Sequence, residues 1–450
     1  METITVITSG QNIQVVSINS AAQGPAGTSA TVQNYGDNRI LSSIGTSTGI
    51  NAESNLTFNG TSLVINSGLT TSTGNFTTSI SGSLLNIDNI RIDGNTITST
   101  NNNGNLIIQT TGIGAIQRDA GGNSRGQYSV DFQNVRISGA QVAAGNYCVI
   151  AGGASNQIHP DVIRSSIVGG SGNQIYLNND TNDLSNNFIG GGFYNRITDH
   201  IFETTTAVGS FIGGGYQNTI GANGAYNFIG GGYGNTISHA NGGNNSVICG
   251  GDSNIIQGEY YGAATIGGGY GNIISESNDG QRIPEGATIP GGYEAKATNY
   301  AEFCHAAGKF SNAGDAQHTI LIARKLTTDN TANVILLLDN GLSGSYKLYI
   351  PSKTTWTFEI KLSAYNDTDS AGGGWIFKGA IRSDGSGNTA IIGIGVTAES
   401  WLDTAMSTAS ADVVANDTTN SLDIRVTGLS GKNIRWVAVV DISQVSYGAP

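Results

Sequence analysis

Charge is scarce in this chain. Asp, Glu, Lys and Arg make up 12% of its 450 residues, with a formal net charge of −12, where an ordinary soluble domain carries about a quarter. The charges are scattered and form no basic stripe, which argues against nucleic acid and anionic membrane surfaces as partners. Long apolar runs are missing too: no stretch reaches the ~18 residues of a membrane-spanning helix, so no membrane insertion is expected. The opening METITVITSG has neither the basic start nor the apolar run of a secretory signal. Cysteine is limited to Cys148, Cys249 and Cys304, an odd number at wide spacing. That disfavours a disulfide framework or a zinc site and suits small buried thiols of a protein made in a reducing cytoplasm. Helical periodicity is nearly absent. Apolar residues alternate or come in short runs, cut about every 8–12 residues by Gly, Asn, Asp or Ser, the pattern of an all-β chain.

What the chain has in excess is glycine, 66 residues, about twice the usual ~7%. Much of it lies in a repeat over residues 146–315, of which NFIGGGYGNTIS (Asn227 to Ser238) is one copy. Asn156, Asn173, Asn195, Asn218, Asn235, Asn254 and Asn272 anchor the copies, with Ala295 in an eighth slot. Six residues before each anchor stands isoleucine: Ile150, Ile167, Ile189, Ile212, Ile229, Ile248, Ile266 and Ile289. A Gly-Gly pair precedes every anchor by four and three residues, and Ile follows by two in seven copies, with Ala297 in the last. Anchor spacings of 17 to 23 are those of a β-roll or solenoid with insertions on one face. Positions −6, −4, −2, 0 and +2 share one parity, so on a single extended strand they would face the same way. Isoleucines and asparagines are then expected to stack from rung to rung, with glycine where another backbone comes close. Eight rungs at ~4.8 Å predict a stack of roughly 40 Å.

Texture divides the rest. Residues 1–35 hold short strands and QGPAGTSA, read as an N-terminal element and linker. Residues 36–120 are thin Asn/Thr/Ser-rich β segments. Their clearest signals are an Asp93-Gly94 hairpin turn between alternating runs and a second turn at Asn101 to Gly104. Residues 121–145 read as a linker. Residues 316–450 carry longer strands and all four tryptophans, Trp356, Trp375, Trp401 and Trp436, and are expected to form a β-sandwich of jelly-roll type. The thin strands of residues 36–120 bury little by themselves, and association with other copies would supply the missing core.

The repeats SFIGGGYQNTI and NFIGGGYGNTI, with PGGYEAKATNYAEFCHAAGKFSNAGDAQ (Pro290 to Gln317), resemble the head repeats of trimeric β-roll adhesins. The segments IDNIRIDGNTITST with NGNLII, GDAQ leading into ILIARKLTT, IPSKTTWTFEIKLSA and GKNIRWVAVV are similar to bacteriophage tail fibres and tailspikes, particularly those of phages infecting cyanobacteria. The resemblance implies an elongated homotrimer of a virion tail. Its N-terminus would dock to a tail or baseplate protein, a thin shaft and roll would follow, and a distal tip would bind a host surface glycan or lipopolysaccharide. Cellular adhesins of the roll type carry a signal peptide and a membrane barrel, and this chain is expected to have neither.

Catalytic and cofactor patterns are few. GGGYGN is not a GxGxxG fingerprint, no Walker motif occurs, and Thr236 stands where a calcium-binding glycine solenoid needs Asp. His159, His200, His239, His305 and His318 lack metal spacing. No cofactor, no metal and no enzymatic activity are therefore expected. The opposing reading is a tailspike endoglycosidase, whose paired carboxylates would come from inserts carrying Asp199, Glu203, Glu259, Glu276 and Asp279. A third is a passive fibre or decoration protein. For receptor binding, an exposed ring beside small polar groups suits a sugar. The candidates are Tyr365, Asp367 and Trp401, although Trp401 equally suits a core or an interface. The −2 tyrosines Tyr216, Tyr233, Tyr270 and Tyr293 are read as structural stacking.

Overall fold

The computed structural model describes residues 108–450 apart from 177–183, 199–207, 222–224, 240–243, 259–261, 277–283, 340–345, 387 and 448–450. Before residue 108 it describes six strands. Two compact units are present, Met1–Gly104 and Asn105–Pro450. In the first, Ile4–Ser9 pairs antiparallel with Asn12–Ser17. Gly49–Phe58 lies between Thr31–Gln33 and Arg39–Ser43 in a four-stranded sheet that Leu63–Ile65 completes. The turns read at Asp93-Gly94 and Asn101 to Gly104 lie outside the described residues.

The second unit begins as a parallel β-solenoid. Each coil contributes a short strand at −7 and −6, as in Phe228–Ile229, and another at +1 and +2, as in Thr236–His239. Every strand pairs in register with its counterpart one coil on, Ile212↔Ile229↔Ile248 in one sheet and Ile220↔Ile237↔Ile256 in the other. The chain is not one continuous strand from −6 to +2, as common parity would have it. It turns at the glycine pair, so the −6 and +2 isoleucines point inward from opposite sheets while the −2 residue points out. Ile150 through Ile289 at −6 and Ile158 through Ile274 at +2 are essentially fully buried. Burial of an isoleucine contributes about 1.5–3 kcal/mol, twice per coil.

The glycine at −3 is the one the fold requires. It takes φ between +78° and +112° in all eight copies. A Cβ on Gly232 would collide with the carbonyl oxygen of Gly251 in the next coil. Two further corners also enter the left-handed region, at −9 and −1. Residues with large side chains stand there as well, among them Tyr147, Arg164, Tyr194 and Glu294.

The interior is half polar. From Asn156 to Asn254 the Oδ1 of each ladder asparagine accepts from the backbone N–H and the Nδ2 of the next; for Asn218 and Asn235 these are 3.0 and 3.1 Å. Asn235 Nδ2 donates also to Gly231 O and Gly251 O, each at 2.9 Å. Such a buried amide is fully satisfied, the condition under which burial is tolerated. A second ladder runs at −8 through Cys148, Ser165, Asn187, Ser210, Asn227 and Ser246, all buried. Asn187 N–H donates to Ser165 Oγ at 3.1 Å and Ser210 N–H to Asn187 Oδ1 at 2.8 Å. Cys148 and Cys304 are buried and Cys249 is exposed, which corrects the reading of all three as core thiols.

Residues 121–145 correct the sequence reading as well. They are not a linker: Val130 pairs with Ile116 and Val149, and Ala143 bridges Ile158, so the stack starts there. Gln133 takes the asparagine slot, its amide bridging Asn156 N–H at 2.9 Å and Asn156 O at 3.1 Å. At the other end Gln317 does the same for Lys296, at 3.0 and 2.9 Å. Buried Glu302 accepts from Thr298 N–H and Asn299 N–H, both at 2.8 Å.

Phe303–His305 continues the solenoid sheet and pairs antiparallel with Ala316–Thr327. A sheet of long strands follows in the order Ala316–Thr327, Ile434–Ser446, Thr354–Asn366, Ala371–Ser383, Thr397–Leu402. Ile434–Ser446 alternates buried and exposed over all 13 residues, as a sheet covered on one face must. Its covered face meets Leu336, Leu348, Leu422, Ile424 and Val426 of a smaller sheet in one core. Trp356 and Trp436 are buried there, their indoles donating to Gln444 Oε1 at 2.8 Å and Thr327 Oγ1 at 2.9 Å. The only helix among the described residues is a short 3-10 turn, Thr404–Met406, and no helix there is long and apolar enough to cross a membrane.

Candidate functional site

The uncovered face of the large sheet collects the chemistry. Register sets its rows. Tyr365 stands opposite Arg435 and Gly372, Ser363 opposite Val437 and Gly374, and Trp401 opposite Gly374. Next come Lys361 with Val439 and Ile376, then Glu359 with Asp441 and Lys378.

Two of the three sequence candidates meet here. Tyr365 is 51% exposed and Trp401 57%, so Trp401 plugs no core within the chain. Between them Gly372 and Gly374 present bare backbone, a trough two strand spacings wide that Trp401 flanks two residues further along than Tyr365, so their backbone positions lie about 12 Å apart. Asp403 fixes its edge by accepting Gly372 N–H through Oδ2 at 2.7 Å. Asp367 stands apart, exposed in the turn after Tyr365. That turn is held by Asn366, whose Oδ1 accepts Thr368 N–H at 3.1 Å, and by the Lys432–Asp369 ion pair at 2.6 Å. A flat aromatic on each side of a floor without side chains fits a sugar ring, whose C–H faces stack while its hydroxyls reach Ser363 and the backbone.

Six residues along the same strands, about 20 Å, lies a groove of about 580 Å³ floored by Thr357, Glu359, Lys378, Asp441 and Ser443. A loop through Ile392, Gly393, Ile394 and Gly395 walls it. Ile394 is 97% exposed at the loop crest. Like charges directly across a strand pair are unfavourable, and each carboxylate here has its own hydrogen-bonding partner. Lys378 Nζ lies 3.0 Å and Lys361 Nζ 3.5 Å from Glu359, and His318 Nε2 lies 3.0 Å from Asp441 Oδ1. Hydrogen bonding from Lys378 holds the Glu359 carboxyl below its ordinary range. It is thus an anion at neutral pH, an acceptor or base rather than a proton donor. Sequence reading missed this pair, which only strand register brings together.

Of the insert carboxylates, Asp199, Glu203, Glu259 and Asp279 lie outside the described residues. Glu276 follows the strand Ile273–Ile274 at the solenoid edge. Of the two junction histidines, His305 and His318 meet edge to face at 6.2 Å. No group of His, Cys, Asp and Glu arranged to hold a metal occurs among the described residues.

No protein-family model matches the chain, and no curated protein matches it either. Solved structures similar to this chain include three phage tailspikes. The tailspike protein of Acinetobacter baumannii bacteriophage Fri1, a capsular polysaccharide depolymerase, is 9% identical over 66% of this chain and 63% of its own, with a TM-score of 0.17. The chain thus spans less than two thirds of that protein. The tailspike of Acinetobacter baumannii phage AM24 is 11% identical over 71% and 68%, TM-score 0.17. That of Acinetobacter phage vB_ApiP_P1 is 9% identical over 74% and 78%, TM-score 0.18. Scores this low transfer no geometry to this chain. With a capsular polysaccharide depolymerase among these proteins, the expectation of a protein without enzymatic activity is withdrawn. At this level the chain is similar to phage tailspike proteins.

Proposed function

We propose that this chain is a phage tail protein that attaches to a host surface glycan through the uncovered face of its C-terminal sheet. The observation that carries the reading is the glycine-floored trough between exposed Tyr365 and Trp401. Residues 1–35 serve as the virion-docking segment, and Asp367 contributes a hydrogen-bonding rim. The chain acts as a homotrimer. Ile322, Leu326, Val437 and Val439 expose aliphatic surface on the same sheet, each at least 37% exposed and interleaved with Arg324 and Arg435, and a second copy would cover it. Three tips then act together, so each site can be weak. The test is binding of the full chain to an array of bacterial surface polysaccharides. Trp401→Ala and Tyr365→Ala should each weaken the best binder at least tenfold. Equal binding by wild type and Trp401→Ala sinks the reading.

A second reading is cleavage of that glycan. The neighbouring carboxylates Glu359 and Asp441 in a groove along the same face favour it, since hydrolysis of glycosidic bonds uses two carboxyl groups. Release of reducing ends by wild type, lost in Glu359→Gln and in Asp441→Asn, is the expected result. No release from a polysaccharide that binds leaves attachment alone.

A further inference from the structure

The outward column at −2 carries Phe193, Tyr216, Tyr233, Asp252, Tyr270 and Tyr293 on successive coils. Tyr216 and Tyr233 stack with centroids 5.1 Å and planes 6° apart, and Tyr270 and Tyr293 stack at 4.7 Å and 18°. Rings stacked this way offer only their edges to solvent. The exception is the coil between the two stacks, where Asp252 is bridged in parallel to Tyr233 on one side and to Tyr270 on the other. A rung without a ring leaves a slot. Two coil spacings set the Tyr233 and Tyr270 rings about 9.6 Å apart. Among the described residues no ring stacks on either of the faces that look across the slot. The two tyrosines are 52% and 40% exposed, so the slot opens outward. Its back is the half-buried Asp252, whose Oδ1 accepts the Ser253 hydroxyl at 2.6 Å.

We propose that this slot binds a protonated primary amine carried on a sugar ring of a glycan. A cation at its centre lies about 4.8 Å from both ring centroids, inside the ~6 Å reach of a cation–π contact, and the Asp252 carboxylate balances its charge. The height selects the carrier. An extended alkyl chain needs about 7–8 Å between ring planes, with carbon contacts of 3.5–4.0 Å on each side, and would touch only one ring well. A puckered pyranose is thicker and fills the space, and its hydroxyls meet the two tyrosine hydroxyls at the mouth. N-acetylation removes the charge, so the site distinguishes an amino sugar from its acetylated form. It lies on the solenoid and does not depend on the Tyr365–Trp401 trough.

Titration calorimetry of the full chain with a glucosamine tetrasaccharide and with its fully N-acetylated counterpart tests this. Wild type should bind the free-amine sugar at least tenfold more tightly than the acetylated one. Asp252→Asn should lose that preference. Asp252→Tyr, which restores a ring to the column, should abolish binding while melting no lower than wild type. Binding of neither sugar by wild type, equal binding of both, or an unchanged affinity in Asp252→Asn overturns the proposal.

Discussion

The solenoid and the C-terminal sheets both turn alternate side chains inward, yet they fill their interiors with different material. Among the described residues no inward side chain in the stacked coils is bulkier than isoleucine, and many of the inward positions are Asn, Ser or Cys in hydrogen-bonded columns. The C-terminal core contains Trp356, Trp436, Trp375, Phe358 and Phe377, with indole nitrogens bonded across strands. In the first region repetition stands in for bulk, because each coil is wall and floor for the next. In the second, a few large side chains hold distant segments together. Damage should therefore spread along the coils but stay local in the sheets.

All four tryptophans lie in the C-terminal region, so their fluorescence follows that region, while 12 of the 17 tyrosines lie in residues 121–315, so tyrosine circular dichroism follows mainly the coils. Gly232→Ala should have the largest effect. It forces a side chain into φ +96° and against the next coil, costing at least ~4 kcal/mol. Urea unfolding should show the tyrosine signal lost early and the tryptophan signal retained, and a single joint transition would break the comparison. Asn235→Ala comes next. It leaves Asn254 N–H and Gly251 O without the amide they bond, at about 3–4 kcal/mol. The double variant with Asn218→Ala should cost clearly less than the sum, and strict additivity would argue that the coils are independent.

Acid gives the third. His239 lies buried in a coil with Nε2 3.1 Å from Ser246 Oγ, and burial pushes its imidazole down to about 4. The unfolded chain takes up this proton near pH 6.5. The stability is therefore fully present above pH 6.5 and falls as pH drops toward 4, by up to about 3 kcal/mol. His239→Gln should flatten that decline in the tyrosine signal and leave the tryptophan signal untouched. The smallest effect is expected for Trp356→Phe, which loses one buried hydrogen bond and some area, about 2 kcal/mol, with the coils unaffected.

The coils were legible where one residue type answers one slot. Isoleucine at −6 and asparagine at 0 recur by identity, so alignment finds them. The −8 column escapes because Cys148, Ser165 and Asn187 do the same hydrogen-bonding task with different side chains. Gln133 escapes because its coil has no glycine pair to align on. The left-handed corners are invisible at Tyr147 or Glu294, where coil stacking overrides local preference. In the C-terminal region the strands could be read from alternation, and Tyr365 and Trp401 from ring chemistry. The Glu359–Asp441 groove could not, because partners far apart in sequence meet only through register.

Anchor spacings vary from 17 to 23, yet Ile167, Ile189, Ile212 and Ile229 remain in register. Every surplus residue is thus placed between the end of one coil and the start of the next, and none enters the ladders. For a lineage under pressure to change what its surface displays, that is a margin where text can be added without disturbing the lines. Residues can be gained, lost or exchanged there, coil by coil, while the isoleucine and asparagine columns keep the same spacing.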